Sequence, residues 1–327
     1  MSFESLMAAL QGLSVSMETL AALGAELRLQ KEGLDADPRV RVLLNEITRA
    51  VDPQLLENVD SHQKTAALAV LQTIFRQALD LLENPARAPG WSYQDPDILQ
   101  AQGQVSRLIV RGVETMAAQR LELSATLRRP GAFLDVGSGA GWLAIEAARS
   151  WPALRVVGVD PWEPALTLAR KNLAQSGVAE RVELRSQRVE ELEEKATFTV
   201  AWLPGPFIPA EIADRALERL HRALVPGGWL IFGFNPLPPG PLEEALARLR
   251  IVRSGGHPWT PKEVEEKLQA HGFEQIEVYS PSSPILFVVG RQPASSEYPR
   301  SGTSAVLSMR SNPHFQRINP DPKRRRQ

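Results

Sequence analysis

The chain contains no cysteine. That excludes disulfides, thiolate metal sites and a cysteine nucleophile, and a cytoplasmic address is the expectation. Net charge is almost absent too: 37 Lys and Arg against 38 Asp and Glu leave −1. The bulk charge therefore offers nothing to hold a nucleic acid or an acidic polymer. Long apolar runs are missing from the primary reading. The uncharged stretch from Ser5 to Met17 is interrupted by Gln and Ser and is too short to span a bilayer, so no membrane segment is expected. The opening Met1-Ser2-Phe3-Glu4 puts no basic stretch before an apolar run, and no signal peptide is expected. No internal repeat is found, and no metal site is expected.

What is present is ample apolar content: 43% of 327 residues, enough for one large core with an appendage. Residues 3 to about 90 read as helical. Leu6, Leu10, Leu13 and Met17 recur at helical spacing, and Asp37-Pro38 supplies a cap and a first-turn proline. A further helix is predicted over 61–83, with Leu68, Leu71, Phe75 and Leu79 on one face. Residues 84–90 are rich in breakers and mark a boundary. Asp95-Pro96 opens another helix, predicted to reach about 123.

From Gly131 the texture changes. Strands are predicted at 132–136, 156–159, 182–184, 198–203, 229–234, 273–279 and 285–290, with helices at 142–150, 164–176, 210–224, 241–249 and 261–270. Such alternation implies an α/β fold: a doubly wound, seven-stranded, mainly parallel sheet preceded by an all-helical N-terminal region. Only five residues join the last two strands, too few for a parallel crossover, so the last strand is expected to be antiparallel. The expected organisation is a helical cap or dimerisation region at 1–90, a connecting helix at 91–129, a cofactor-binding domain at 130–292 and a disordered basic tail at 293–327. The tail ends in Lys323-Arg324-Arg325-Arg326.

The chemistry centres on Phe133-Leu134-Asp135-Val136-Gly137-Ser138-Gly139-Ala140-Gly141-Trp142, a buried strand running into a glycine-rich turn and a helix. Glycine permits the tight turn and the close approach of a ligand to the main chain. A second strand ends in Asp160, where a carboxylate can accept both ribose hydroxyls. The dinucleotide fingerprint would need glycine at 142, which is Trp142. Asp135 beside the turn would also repel a pyrophosphate but would favour a ligand carrying a sulfonium and an ammonium. Charge complementarity therefore favours S-adenosylmethionine over NAD.

These residues, with Leu224-Val225-Pro226-Gly227-Gly228 ahead of the fifth strand, resemble the class I S-adenosylmethionine-dependent methyltransferase family over roughly residues 130–290. The resemblance implies that Gly137, Ser138, Gly139 and Gly141, with Asp135 close by, line the methionine part of the cofactor, and that Asp160 holds the ribose. Pro161 and Trp162 are available to pack on adenine, although Trp162 reads equally as surface or core. Family members often carry an acid after strand three; here Gln187 stands in the stretch Arg185-Ser186-Gln187-Arg188. Trp202 and Gln102 complete the cofactor candidates.

After strand four, Leu203-Pro204-Gly205-Pro206-Phe207 lacks the polar acceptor of amine-methylating nucleic-acid enzymes. Pro204 and Phe207, with Trp91 and Tyr93, are the candidates for substrate contact. Gly103 inside a predicted helix marks either close approach to a ligand or a tight helix contact. The segment from Gly90 to Ser106 is expected to close over the crevice. Methylation of a hydroxyl needs a base. His257 is the one weak candidate; His221 and His271 read as structural. The function that follows is methyl transfer to a small organic molecule, with no nucleic-acid or membrane partner and a candidate homodimer through the N-terminal helices. The alternatives are a non-catalytic adenosylmethionine-binding scaffold, an NAD-dependent oxidoreductase, and an RNA methyltransferase, which rests on the basic tail alone.

Overall fold

In the N-terminal helices, capping residues set most of the starts. α1 (Phe3–Glu32) begins where the Ser2 hydroxyl accepts from the Ser5 amide, and ends at Gly33 in the left-handed region. α2 (Pro38–Val51) is capped by Asp37, with Pro38 in its first turn. α3 (Ser61–Glu83) opens on a capping box between Asp60 and Gln63. α4 (Pro96–Ala118) repeats the Asp-Pro start at Asp95. It stops short of the predicted 123: the chain breaks at Gln119 and Arg120, and α5 (Leu121–Arg128) follows. The computed structural model describes residues 2–280 and 285–294. From residue 295 on, the tail expected to be disordered lies outside the described residues.

The remaining elements are β1 (Gly131–Val136), α6 (Trp142–Ser150), β2 (Leu154–Asp160), α7 (Glu163–Ala174), β3 (Val182–Ser186), β4 (Phe198–Pro204), α8 (Ala210–Ala223), β5 (Leu224–Phe234), α9 (Pro241–Arg253), α10 (Pro261–Ala270), β6 (Glu274–Tyr279) and β7 (Leu286–Arg291). One seven-stranded sheet runs in the order β3-β2-β1-β4-β5-β7-β6. The first five are parallel in that order, and β7 lies antiparallel between β5 and β6. This is the fold class the sequence implies. The order reverses between β1 and β4, the switch point where open α/β sheets hold ligands beyond the strand C-termini.

Alternation along the strands builds a core on each face. On β1, Leu134 and Val136 face a cluster with Leu217, Leu220, Val264 and Leu268 of α8 and α10. Phe133 faces the other, with Val110, Val113 and Met116 of α4, Leu123 and Leu127 of α5, and Leu143 and Ala147 of α6. The segment expected as a connecting helix therefore supplies a layer of the sheet's own core, and residues 1–294 form a single compact unit. The N-terminal end of that unit is barely covered. Phe3, Leu6, Met7, Leu10, Leu13, Val15 and Met17 of α1 are all exposed, and α2 buries none of its residues. The expectation that no segment could span a bilayer is corrected. Gln and Ser interrupt the apolar run without adding charge, and α1 is long and apolar enough to cross a membrane.

Candidate active site

β1 delivers the glycine loop to the switch point. Gly137, Gly139 and Gly141 all have positive φ, between 54° and 80°. At Gly141 a Cβ would sit 3.0 Å from Ala169 Cβ, so the turn also needs the missing side chain for the packing of α7. Beside Gly139 a Cβ would meet only the Gly137 carbonyl, at 3.9 Å, which leaves that flank of the loop open.

The loop amides are largely committed to protein acceptors. Gly137 and Ser138 donate to the Val159 carbonyl at 2.8 and 3.1 Å, and Gly141 donates to Ser138. Gly139 donates to Asp160 Oδ2 at 2.8 Å. A pyrophosphate cradle depends on free amides, and these four are already used. The loop instead presents carboxylates. Asp135 is fully buried: the Ser138 hydroxyl donates to its Oδ2 at 2.9 Å, while its Oδ1 has no partner. Burial pushes the Asp135 carboxyl up to about 7; the Ser138 bond opposes this and the nearby Asp160 charge adds to it. Asp160 is also raised by burial, against the bonds it accepts from the Trp162 and Gly139 amides. Two buried acids beside an open loop suit a cation and repel a diphosphate. The orphaned Asp135 oxygen and the open flank at Gly139 fit S-adenosylmethionine, with Asp135 toward its charged amino-acid end and Asp160 toward its ribose.

The comparisons agree with this geometry. Residues 133–228 match the family described as "Methyltransferase domain". A Pyrobaculum calidifontis protein, described as a probable cobalt-precorrin-6B C(15)-methyltransferase (decarboxylating), is 34% identical over 142 residues, 41% of this chain and 70% of that protein. The chain belongs to the class I S-adenosylmethionine-dependent methyltransferases. It spans about half the length of other curated relatives it matches, 45% and 49% for two of them. Among solved structures, human N-acetylserotonin methyltransferase in complex with SAM superposes with a TM-score of 0.62 at 17% identity, covering 89% of this chain and 97% of that one. PigF with SAH superposes with a TM-score of 0.58 at 18% identity, over 89% and 100%. At these identities the likeness is one of fold, and it takes in the N-terminal helices as well as the sheet.

The remaining candidates fall into three groups. Some lie close to the loop and the strand ends that flank it. Pro161 is exposed and Trp162 half-buried just beyond Asp160. The main-chain N–H of Gln187 donates to the Asp160 carbonyl at 3.2 Å, which keeps the residue beside the ribose acid, while its side-chain amide donates to the Glu191 carbonyl at 3.2 Å. Pro204 closes on the loop, its Cγ 3.1 Å from where a Gly137 Cβ would be. Trp91 and Phe207 meet edge to face at 5.1 Å.

Others are committed elsewhere. Trp202 is a core residue, 4% exposed, with its ring over Gly233 and 6.0 Å from Phe287. It was expected beside the cofactor; its position on a strand flanked by β1 and β5 turns it into the sheet's packing instead. Tyr93 keeps its place, but its phenol is not free for a substrate, because it donates to Asp80 at 2.9 Å. His257 lies 3.6 Å from Glu263 and meets the Trp259 ring edge-on at 4.5 Å, in a shallow concavity that also includes Asp214 and Lys267 of α8 and α10. His221 packs on Phe273 and His271 binds the Lys267 carbonyl, both structural.

The third group was missed. Gln100 of α4 reaches the loop, two residues before the half-buried Gln102. Its Oε1 accepts from Trp142 Nε1 at 2.6 Å, and its amide donates to Asn172, which in turn donates to the Ala140 carbonyl. Gly103 belongs to the same contact: a Cβ there would lie 2.7 Å from Trp142 Cδ1 and 3.1 Å from Ala140 Cβ. Of its two readings, the tight helix contact is the one observed, and what it contacts is the back of the glycine loop. A polar residue one helical turn from a glycine was the available signal.

Proposed function

We propose that this chain transfers a methyl group from S-adenosylmethionine to a small organic acceptor. The observation that carries the reading is the glycine loop with its amides committed, one oxygen of buried Asp135 unpartnered and Asp160 at the end of the neighbouring strand. When bound, the cofactor supplies an electrophilic methyl on a sulfonium, open to in-line displacement. Asp135 and Asp160 hold the cofactor by charge and by ribose hydrogen bonds. Pro204 and the apolar residues after β4 shape a dry wall beside the loop. Trp91 and Phe207 offer aromatic surface to a planar or apolar acceptor. The fold neighbours include a methyltransferase of N-acetylserotonin, which supports an acceptor of that size. Incubation with methyl-labelled cofactor and a metabolite extract should label small, extractable products. Label recovered only in RNA or protein would overturn the choice of acceptor.

The N-terminal helices are proposed to pair with those of a second copy. α1 exposes Phe3, Leu6, Leu10, Leu13 and Met17 at helical spacing, an apolar stripe left open to water. α2 in the same region carries an uncovered stripe of Val40, Leu43, Ile47 and Val51. A two-fold arrangement lets each copy cover the other's exposed set. Sedimentation should show a dimer that Leu13→Glu converts to monomer. A wild-type monomer, or one that partitions onto liposomes instead, contradicts the pairing.

A further inference from the structure

Asp80, Arg87 and Arg253 come from three separate parts of the chain and meet in one largely buried cluster. Asp80, near the end of α3, accepts on Oδ2 from Arg87 at 3.2 Å, from Arg253 at 2.7 Å and from the Tyr93 hydroxyl at 2.9 Å. The three charged side chains are only 13–18% exposed. Burial alone would raise the Asp80 carboxyl, but Arg253, Tyr93 and Arg87 together hold it below its usual range. An ionic cluster of this kind is a poor source of stability, because desolvation cancels much of its attraction. What it does fix is geometry.

The bonds leaving the cluster converge on one short segment. Arg87 Nη1 donates to the Gly90 carbonyl at 2.7 Å, and the Gly90 amide donates to the Arg253 carbonyl at 3.1 Å. Gly90 has φ 142°, and its Cα lies 2.9 Å from where a Gly255 Cβ would be, so the segment is pressed onto the end of α9. From there residues 90–93 reach both sides of the crevice. The Tyr93 carbonyl accepts from Trp162 Nε1 at 2.7 Å, just beyond β2. The Trp91 ring meets Phe207, just beyond β4. Since β1 and its glycine loop lie between β2 and β4, the segment is a strap across the mouth of the loop.

We infer that Asp80 is a positioning residue for cofactor binding: by pinning Arg87 and Arg253 it holds the strap 90–93 against Trp162 and Phe207 over the glycine loop. The inference rests on the reading of that loop as the adenosylmethionine site. Releasing the strap lowers the fraction of molecules in the closed form, and affinity falls by that fraction.

The test is calorimetric titration of adenosylhomocysteine into the full chain, well below its melting temperature. Wild type, Asp80→Asn, Trp162→Phe and the double variant are compared. If the strap is closed in about a tenth of the variant molecules, Asp80→Asn weakens binding about tenfold. Trp162→Phe removes the anchor at the strap's other end; each substitution lowers the same closed fraction, so the losses in the double variant should at least multiply. A merely structural Asp80 lowers the melting temperature and leaves the dissociation constant at its wild-type value, which overturns the inference. A double variant that binds no worse than the weaker single one overturns it too. Should Asp80→Asn fail to fold, Tyr93→Phe removes the hydroxyl's bonds to Asp80 and Arg87 within the same cluster, and unchanged affinity there overturns the inference equally. A wild-type protein that does not bind adenosylhomocysteine defeats the cofactor reading first, and the strap with it.

Discussion

Replacing Asp160 by alanine separates two jobs that one carboxylate performs. Its Oδ1 accepts from the Trp162 amide at 2.7 Å and its Oδ2 from the Gly139 amide at 2.8 Å, at 8% exposure. Each bond to a charged acceptor contributes about 1.5–3 kcal/mol. The variant loses both but also loses the burial penalty that raises the Asp160 carboxyl, so the net cost should be roughly 2–4 kcal/mol. At roughly 2–4 °C per kcal/mol for a domain of this order, the melting temperature falls by about 4–16 °C. The glycine loop and the first turn beyond β2 loosen, while the sheet stays formed. Cofactor affinity should fall separately, by about 1.5–3 kcal/mol or roughly 10- to 150-fold, for the ribose bonds. Asp160→Asn keeps one acceptor oxygen and should fall between the two. The assay is thermal melting paired with calorimetric titration of adenosylhomocysteine. A variant that melts with wild type removes the two amide bonds from the account; one that binds with wild-type affinity removes the ribose role.

Three further outcomes follow. Gly103→Ala should lower the melting temperature, because a methyl 2.7 Å from Trp142 overpacks by about 1–3 kcal/mol against a helix-propensity gain of about 1 kcal/mol; a rise would show that the contact yields. The stability of the unliganded protein should decline as pH rises from 4 through 7. Asp135, pushed up to about 7, binds a proton in the folded state over that window that the unfolded chain has released. Denaturant titrations across that range should show the decline in wild type and a weaker one in Asp135→Asn; parallel profiles would contradict it. Gln100→Ala should destabilise the loop through Trp142, whose indole N–H then loses its acceptor, and costs about 1–3 kcal/mol by melting; a neutral effect would mean that water replaces the bond without loss.

The sheet was legible because its signals are local. Alternating strands and helices, the short link between the last two strands and the capped helix starts each sit within a few residues, and the order of elements follows. The glycine loop and Asp160 were legible for the same reason: a strand end, a turn and a helix start are contiguous in sequence. What was not legible depends on long-range contacts. Nothing near Trp202 indicates that Gly233 lies beneath its ring. The break at Gln119 and Arg120 carries no glycine or proline, and Arg120 and Arg291 instead tie that region to β6 and β7 through Glu277 and Glu122. Asp80, Arg87 and Arg253 are ordinary surface residues in sequence, and only the fold gathers them. Gln100, two residues before the expected Gln102, shows the limit directly. Composition marked the polar turn of α4, but which side chain faced the loop depended on the helix's rotation against α6.

The central claim is that the loop after β1 binds a cationic nucleoside rather than a dinucleotide. Calorimetric titration of one protein preparation with adenosylmethionine, adenosylhomocysteine and NAD tests it most directly. Both sulfur nucleosides should bind, each more tightly as pH rises through 7 and Asp135 ionises beside the ammonium they share, with no measurable heat from NAD. Binding of NAD without either sulfur nucleoside would contradict the account.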